Sequence, residues 1–471
     1  ELTITNDASI TASGISQQDA KADGYNGGIL AAGANIAHAE SDLETEAYLG
    51  TGVNISAQNL TIQAVGHDNN FAESVSGGGG VVSGRAADST TKSNSSAQVR
   101  IEDGDATSGN VEIDIAGQLT IKADQTSDFN GKADSVNASV VGGSGASVNH
   151  KVNCEATFEI GVDTDNTENN LVIEAGSVDI DATQTILKAE LSDAAAEAAS
   201  GGVVDGSAVA GETIIANTTL VSLGDSSTSN GFGTRINTTG DIDLHAFNDV
   251  SAWDKSNLNS GGLISVAVAT SKIKHERNEA IVQIQDADLN SDGDITLSAL
   301  ADVNLENKAN ASSYGLAGVP SARSSATTDT ENLIQLNDGA YLRSEGDVNL
   351  LAGQDAQGNE NQIELNSRSN IWNYTAVPID GPGSSEASVT LAYAIDIASG
   401  ATVESVQDVT LLTAEGSVSS LGVLKSQDAY EALASAITGA STVSVKNDRD
   451  DITSTSGVTV DGTVNVSIEN K

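Results

Sequence analysis

One short phrase of alternating apolar and polar residues returns down the whole chain, and nothing else limits the fold so tightly. It reads Leu2-Thr3-Ile4, then Leu60-Thr61-Ile62-Gln63-Ala64, Leu119-Thr120-Ile121-Lys122-Ala123 and Val178-Asp179-Ile180-Asp181-Ala182. It continues as Ile242-Asp243-Leu244-His245-Ala246, Ile295-Thr296-Leu297-Ser298-Ala299, Val348-Asn349-Leu350-Leu351-Ala352 and Val409-Thr410-Leu411-Leu412-Thr413. Successive copies begin 58, 59, 59, 64, 53, 53 and 61 residues apart, a period near 58. A length of 471 residues would otherwise suggest about three globular domains. Alternation at every second residue is the strand period. A strand with one oily face cannot bury it alone, and stacking copies of the same unit buries it continuously.

A second strand precedes the phrase at a regular offset, as in Val99-Arg100-Ile101, Ile281-Val282-Gln283-Ile284, Leu333-Ile334-Gln335-Leu336 and Ile395-Asp396-Ile397. The residues between the two read as turns, among them Asn337-Asp338-Gly339 and Asn290-Ser291-Asp292-Gly293. The other half of each unit carries a glycine pair before a run of small residues: Gly27-Gly28, Gly79-Gly80, Gly142-Gly143, Gly201-Gly202 and Gly261-Gly262. Recurrence at one phase marks these pairs as tight corners between strands. The alanine-rich stretch 193–199 takes a strand position, while Tyr430-Glu431-Ala432-Leu433-Ala434 has a helical composition.

Composition agrees. Hydrophobic residues are 38% of the chain but aromatics only 3%, so the core is built from Ala, Val, Ile and Leu in thin layers. Three prolines against 47 glycines suit uninterrupted ladders, whose strand interiors must donate every N–H. The expected fold is all-β: a right-handed parallel β-helix or β-solenoid of about eight repeats of roughly 58 residues. It forms one continuous array over 1–471, and its opening inside a strand pattern marks a fragment of a longer chain. A unit this long is expected to wind into two or three coils of about 20 residues, giving a rod on the order of 110 Å long. A projecting loop is expected at 376–386, around Pro378 and Pro382.

Asp and Glu number 66 against 21 Lys and Arg, a net charge of −45. Such a chain repels nucleic acid and anionic membranes, attracts cations and keeps a long β surface soluble. No apolar run approaches the roughly 20 residues of a membrane span, so no membrane insertion is expected of this segment. Cys154 is the single cysteine and alternates with Val152 and Ala156, as a buried strand residue would.

Motifs that carry chemistry are scarce. Gly131-Lys132 is followed by Ala133, not by the hydroxyl of a phosphate loop. His38, His67, His150, His245 and His275 lack zinc spacing, and His245 is expected outward in solvent. Asp288, Asn290 and Asp292, before Gly293, match the first half of a calcium loop, but Ala299 stands where its bidentate Glu belongs. They are the one weak calcium candidate. No other cofactor is expected, and an Asx turn explains the same residues. Trp372, Tyr374 and Arg368 concentrate stacking groups that suit a sugar or partner, or that cover exposed core. Carboxylates are spread through every unit with no singular pair, so no enzyme is expected.

The pattern is clearest from Leu333 to Ala352, where Gly346-Asp347-Val348 leads into the phrase. It resembles the repeat regions of filamentous haemagglutinin-like giant bacterial surface proteins of the two-partner-secretion type, over essentially the whole chain. The resemblance implies a secreted, extracellular segment of a surface fibre or adhesin stalk, acting in cell–cell or cell-surface contact without catalysis. It implies neighbouring repeats of the same or identical chains as partners, and another cell surface or a glycan beyond them. Two alternatives stand beside it: a calcium-stabilised matrix or surface-layer module, and a β-helix enzyme acting on polysaccharides through paired carboxylates in a groove.

Overall fold

A computed structural model describes residues 2–104, 110–162, 171–224, 233–438, 443–447 and 449–466. The chain is all-β. Nearly all strand pairing is parallel, and each residue's partner lies one whole repeat away. Ala8, Leu60, Leu119, Val178, Ile242, Ile295, Val348 and Val409 stand in one column, one residue per rung. Bonds between adjacent rungs span 52, 59, 63, 53 and 61 residues at five of the steps along the stack. One repeat is therefore one rung, and the expectation of two or three short coils per repeat is overturned. The Gly, Ser and Ala half of each unit runs on extended instead of turning after 20 residues. Eight rungs stacked at about 4.8 Å, each on the order of 70 Å long, make a slab about 40 Å high rather than a 110 Å rod.

Each rung has a three-sided base and a long flattened arm. Two sides of the base are the strands expected from the sequence, whose columns include Leu119 and Phe158. The third is a short strand that the sequence presented as a turn. Leu2, Ile55, Ile113, Ile173, Ile236, Leu289, Leu342, Val403 and Val464 form its inward column. Leu2-Thr3-Ile4 thus opens this third column, and Ala8-Ser9-Ile10 is the true first copy of the phrase; its leading alanine disguised it. Asn290 and Ser291 likewise lie in the strand Ala287–Ser291, whereas Asn337-Asp338-Gly339 is a turn, with Gly339 at φ 94°. The oily faces of the three sides meet in one core, where Ile101, Ile121, Leu171 and Ile284 are wholly buried.

The arm is a strand folded back on itself. In the second rung Ser89 Oγ donates to the Ala72 carbonyl at 2.5 Å, and in the fifth Ser271 Oγ donates to Asp254 Oδ2 at 3.1 Å. The chain therefore reverses near residues 80 and 262, at the glycine pairs. None of the paired glycines has a positive φ. A Cβ on Gly80 would strike the Gly28 carbonyl oxygen of the rung below, and one on Gly202 that of Ser139. At those two positions glycine is needed for close approach between rungs, not for a left-handed turn. Gly142-Gly143 is out of phase: it pairs with Ser83 and Gly84, beyond the tip, and Ala138-Ser139 takes the tip position of that rung.

Side chains inside the arm shrink toward the tip, from Phe129, Val152, Cys154 and Ile215 to Ala133, Ala146 and Val148. Polar groups between them bond rung to rung: Asn217 Nδ2 donates to Asn278 Oδ1 at 3.0 Å, and Asn278 Nδ2 donates to Thr330 Oγ1 at 3.1 Å. Lys188 and Asp254 are fully enclosed, with Nζ 3.1 Å from Oδ1 and a second bond of 3.0 Å to Thr213 Oγ1. Burial lowers the affinity of Lys188 for its proton, and Asp254 opposes that. Burial pushes the Cys154 thiol up to about 12, making it an inert core residue, and pushes His275 down to about 3.

In the last rung the arm is altered. Helix Ala429–Thr438 is capped by Asp428, whose Oδ1 accepts from Glu431 N at 2.8 Å. Strand Ser444–Asn447 pairs antiparallel with Val423 to Ser426. Residues 193–195 precede the strand Ala196–Leu223 rather than belonging to it. The segment 376–386 lies at the tip of the seventh rung, where Ile379 N donates to the Gly318 carbonyl at 3.2 Å. Among the described residues no helix is long and apolar enough to cross a membrane.

Two outcomes test this architecture. Thr61 and Thr120 are register partners, so T61C/T120C closes an internal disulfide on oxidation while T61C/V81C, 20 residues apart, stays open, as read by mass spectrometry after thiol blocking. Lys188→Ala strands a buried carboxylate and costs about 3–5 kcal/mol in denaturant unfolding, whereas K188M/D254L recovers most of that loss.

Candidate functional site: an acidic cleft

The second and fourth residues of the recurring phrase point away from the core. On most rungs they face solvent, but on the fourth to sixth a loop walls them in. Residues 353–361 leave the seventh rung and return to it, with Asn361 N donating to the Gly353 carbonyl at 3.1 Å. Gly353 at φ 90° and Gly358 at φ 82° make the two bends that other residues resist. Asp355 Oδ1 organises the loop by accepting from Gln357 N at 2.9 Å and Asn359 N at 2.8 Å. The loop and the base strands enclose an open cleft of about 690 Å³.

Carboxylates gather there. Asp179 and Asp243 are register partners on adjacent rungs, as are Asp181 and His245. Lys122 Nζ donates to Asp181 Oδ2 at 2.8 Å, so that charge is paired. Among the described residues no cation pairs with Asp243. Burial, then Asp241 and Asp179, push its carboxyl up to about 6. Burial and Asp181 also raise Asp179. Burial lowers His245, whose Nδ1 lies 2.7 Å from Ser298 Oγ and whose ring stacks on Phe247 at 5.9 Å. A carboxyl raised to about 6 beside an imidazole is a group that exchanges its proton in mildly acidic water. Among the described residues no three or more His, Cys, Asp or Glu are placed to hold a metal ion.

Asp241 and Asp294 at the rim have a structural task. Asp241 Oδ1 accepts from Asp294 N at 2.9 Å, Asp294 Oδ1 from Asp347 N at 2.8 Å, and Asp347 Oδ1 from Asp408 N at 3.0 Å. Each aspartate at this corner caps the backbone of the next rung, which explains why the phrase is so often preceded by Asp.

The expected site residues fall elsewhere. Asp288 and Asn290 lie along one face of an extended strand: Arg235 Nη2 donates to Asp288 Oδ2 at 3.3 Å and Asn290 Nδ2 to Asn237 Oδ1 at 3.1 Å. Asp292 follows in a turn, its N–H donating to the Thr238 carbonyl at 3.0 Å. These three are strung out, not wrapped around a point. Arg368, Trp372 and Tyr374 do share the outward face of Gln362–Pro378. Tyr374 stacks on Tyr314 of the rung below at 5.5 Å, and Arg368 Nε donates to Asn366 Oδ1 at 2.9 Å.

Two expectations need correction. The carboxylates are not evenly dispersed, and His245 is not a solvated surface residue, because the 353–361 loop covers the face it projects from. The signal was present in the sequence: Asp179-x-Asp181 and Asp241-x-Asp243 occur at nearly one phase in consecutive repeats. No family model, curated protein or solved structure matches the chain.

Asp243 holds its proton more tightly folded than unfolded, where 3.8 is the ordinary value. Its protonation therefore favours the fold below about 3.8, and that benefit is lost as pH rises through about 6. Asp243→Asn should accordingly raise the melting temperature at pH 8 and leave it unchanged at pH 4, as followed by circular dichroism.

Proposed function

We propose that this chain is a structural and adhesive segment of an extracellular bacterial surface protein, wound as a right-handed parallel β-solenoid and acting without catalysis. The observation that carries this reading is the parallel register that links each rung's base to the next from the first rung to the last, so that one rung is the template for another. Strand Ala8–Leu49 pairs in parallel register with Leu60–Glu102, so each rung offers the next a long edge. Such an edge suits further rungs of the same or an identical chain. The charge of −45 supports a hydrated exterior that meets cell surfaces or glycans rather than nucleic acid.

A repeat of about 58 residues adds only about 4.8 Å of height, so repetition here multiplies broad lateral surface more than reach. Displayed on a non-adhesive bacterium, the chain should make cells clump and settle faster than control cells displaying an unrelated acidic domain; equal settling rates overturn the reading. Millimolar calcium should leave the melting temperature within a degree or two, whereas a large rise reversed by chelator selects the calcium-stabilised module.

The register pair Asp179 and Asp243 favours one second reading, a polysaccharide-active cleft. Glycoside cleavage uses a pair of carboxyl groups, at least one of which holds its proton, and burial raises the proton affinity of both of these. That reading requires the purified chain to shorten a neutral or acidic glycan, and Asp243→Asn to abolish the cleavage.

A further inference from the structure

The tips of the arms carry a feature that the structural reading leaves unused. Leu30, Val82, Val141, Val204 and Ile264 stand in register on five consecutive rungs and project into solvent. Each is at least 42% exposed, and each follows a second exposed aliphatic, from Ile29 in the first rung to Leu263 in the fifth. They form a ridge running along the stack. Beside it, two residues further along each returning strand, lies a shallow groove of about 940 Å³ floored by Ala32, Gly84, Gly143 and Gly206. The space over Gly84 and Gly206 is open, since a Cβ there would meet nothing within 4 Å.

The patch is also free of exposed charge. Residues 24–37, 136–146 and 256–271 contain no Asp, Glu, Lys or Arg. The two charged residues closest to it, Arg85 and Asp205, point inward and are 5% and 3% exposed. Arg85 Nη2 donates to the Asn26 carbonyl at 2.6 Å, and Asp205 Oδ2 accepts from Ser260 Oγ at 2.5 Å. On a molecule of charge −45, this is a surface on which two copies can meet without bringing like charges together.

We infer that the ridge and groove form a two-fold interface between two copies of this chain. A two-fold axis parallel to the stack, set between ridge and groove, lays the ridge of each copy into the groove of the other and keeps both stacks running the same way. Ten roughly half-exposed aliphatic side chains offer on the order of 800 Å² per copy, the share each partner gives to a standard-size interface. Exposed apolar patches of this size mark contact surfaces. The inference deepens the structural reading and rests on it for its role: lateral pairing would thicken a surface fibre.

The test is the oligomeric state of the purified chain by sedimentation equilibrium at micromolar concentration. The native chain should have twice the 47.6 kDa monomer mass, and its dissociation constant should fall at least about tenfold from 50 to 500 mM NaCl as acidic repulsion is screened. V141D/V204D, which breaks the ridge, should be monomeric with an unchanged circular dichroism spectrum. G84L/G206L, which fills the groove without clash, should also be monomeric. Should it remain dimeric or bind more tightly, the contact is unspecific apolar adhesion and the inference fails. A native chain that stays monomeric at 100 µM overturns it outright, as does a monomer that instead binds neutral phosphatidylcholine vesicles. Cell clumping is scored separately: a monomeric chain that still clumps cells removes this interface and leaves the structural reading intact.

Discussion

The parallel backbone ladder between rungs is the interaction on which the rest depends. Because each residue's partner lies one repeat away, every side chain sits against its own counterpart in the neighbouring rung. Like meets like, and the consequences depend on the residue. Isoleucine on leucine gives the base its dry columns, and asparagine on asparagine gives the arm its continuous bonds. Aspartate on aspartate is the costly case. The chain relieves it by setting cations one rung from carboxylates, as with Lys21 and Glu73, Lys272 and Glu212, or Arg100 and Glu46. Exposed pairs of this kind add little stability individually, but each removes a repulsion that stacking would otherwise impose.

The same ladder explains the graded interior. A three-sided base leaves room for large aliphatics, whereas an arm two strands thick narrows until small residues such as Ala and Ser predominate. Where an intermediate gap must be filled, polar residues bridge it with bonds across and between rungs. The enclosed Lys188–Asp254 pair is the extreme instance. Such a network adds less cohesion than hydrocarbon would, but it is intolerant of a shift in register, since displacing one rung by a residue leaves several buried groups without partners.

Function-bearing features arise where the repeat is interrupted. The cleft exists because aspartates occupy outward positions in two consecutive copies and because one later rung inserts a loop that walls them in. Other rungs carry no carboxylate at the same positions, as with Thr61 and Gln63 or Thr120 and Lys122. At the opposite end of the rung, the charge-free tips are an omission repeated five times. There an acidic chain has placed aliphatics outward and turned its two nearest charges inward.

The columns headed by Leu60 and Val99 were legible directly, because a period of two within a period near 58 survives any loop between them. The helix around Tyr430 and the burial of Cys154 were readable for equally local reasons. The third base strand was not, because Asn290 and Ser291 carry turn chemistry and only pairing with neighbouring rungs draws them out straight. Nor was the number of coils per repeat. An extended arm and a series of short coils share the same alternation, and only the contact between Ser89 and Ala72, or Ser271 and Asp254, shows where the chain comes back. By itself the sequence determined which residues face inward and how far apart their counterparts lie, since both follow from periodicity along one strand. The tertiary structure alone decided which outward residues share a cleft or a ridge, because neighbours across rungs are set by where the chain reverses and by a loop inserted three rungs away.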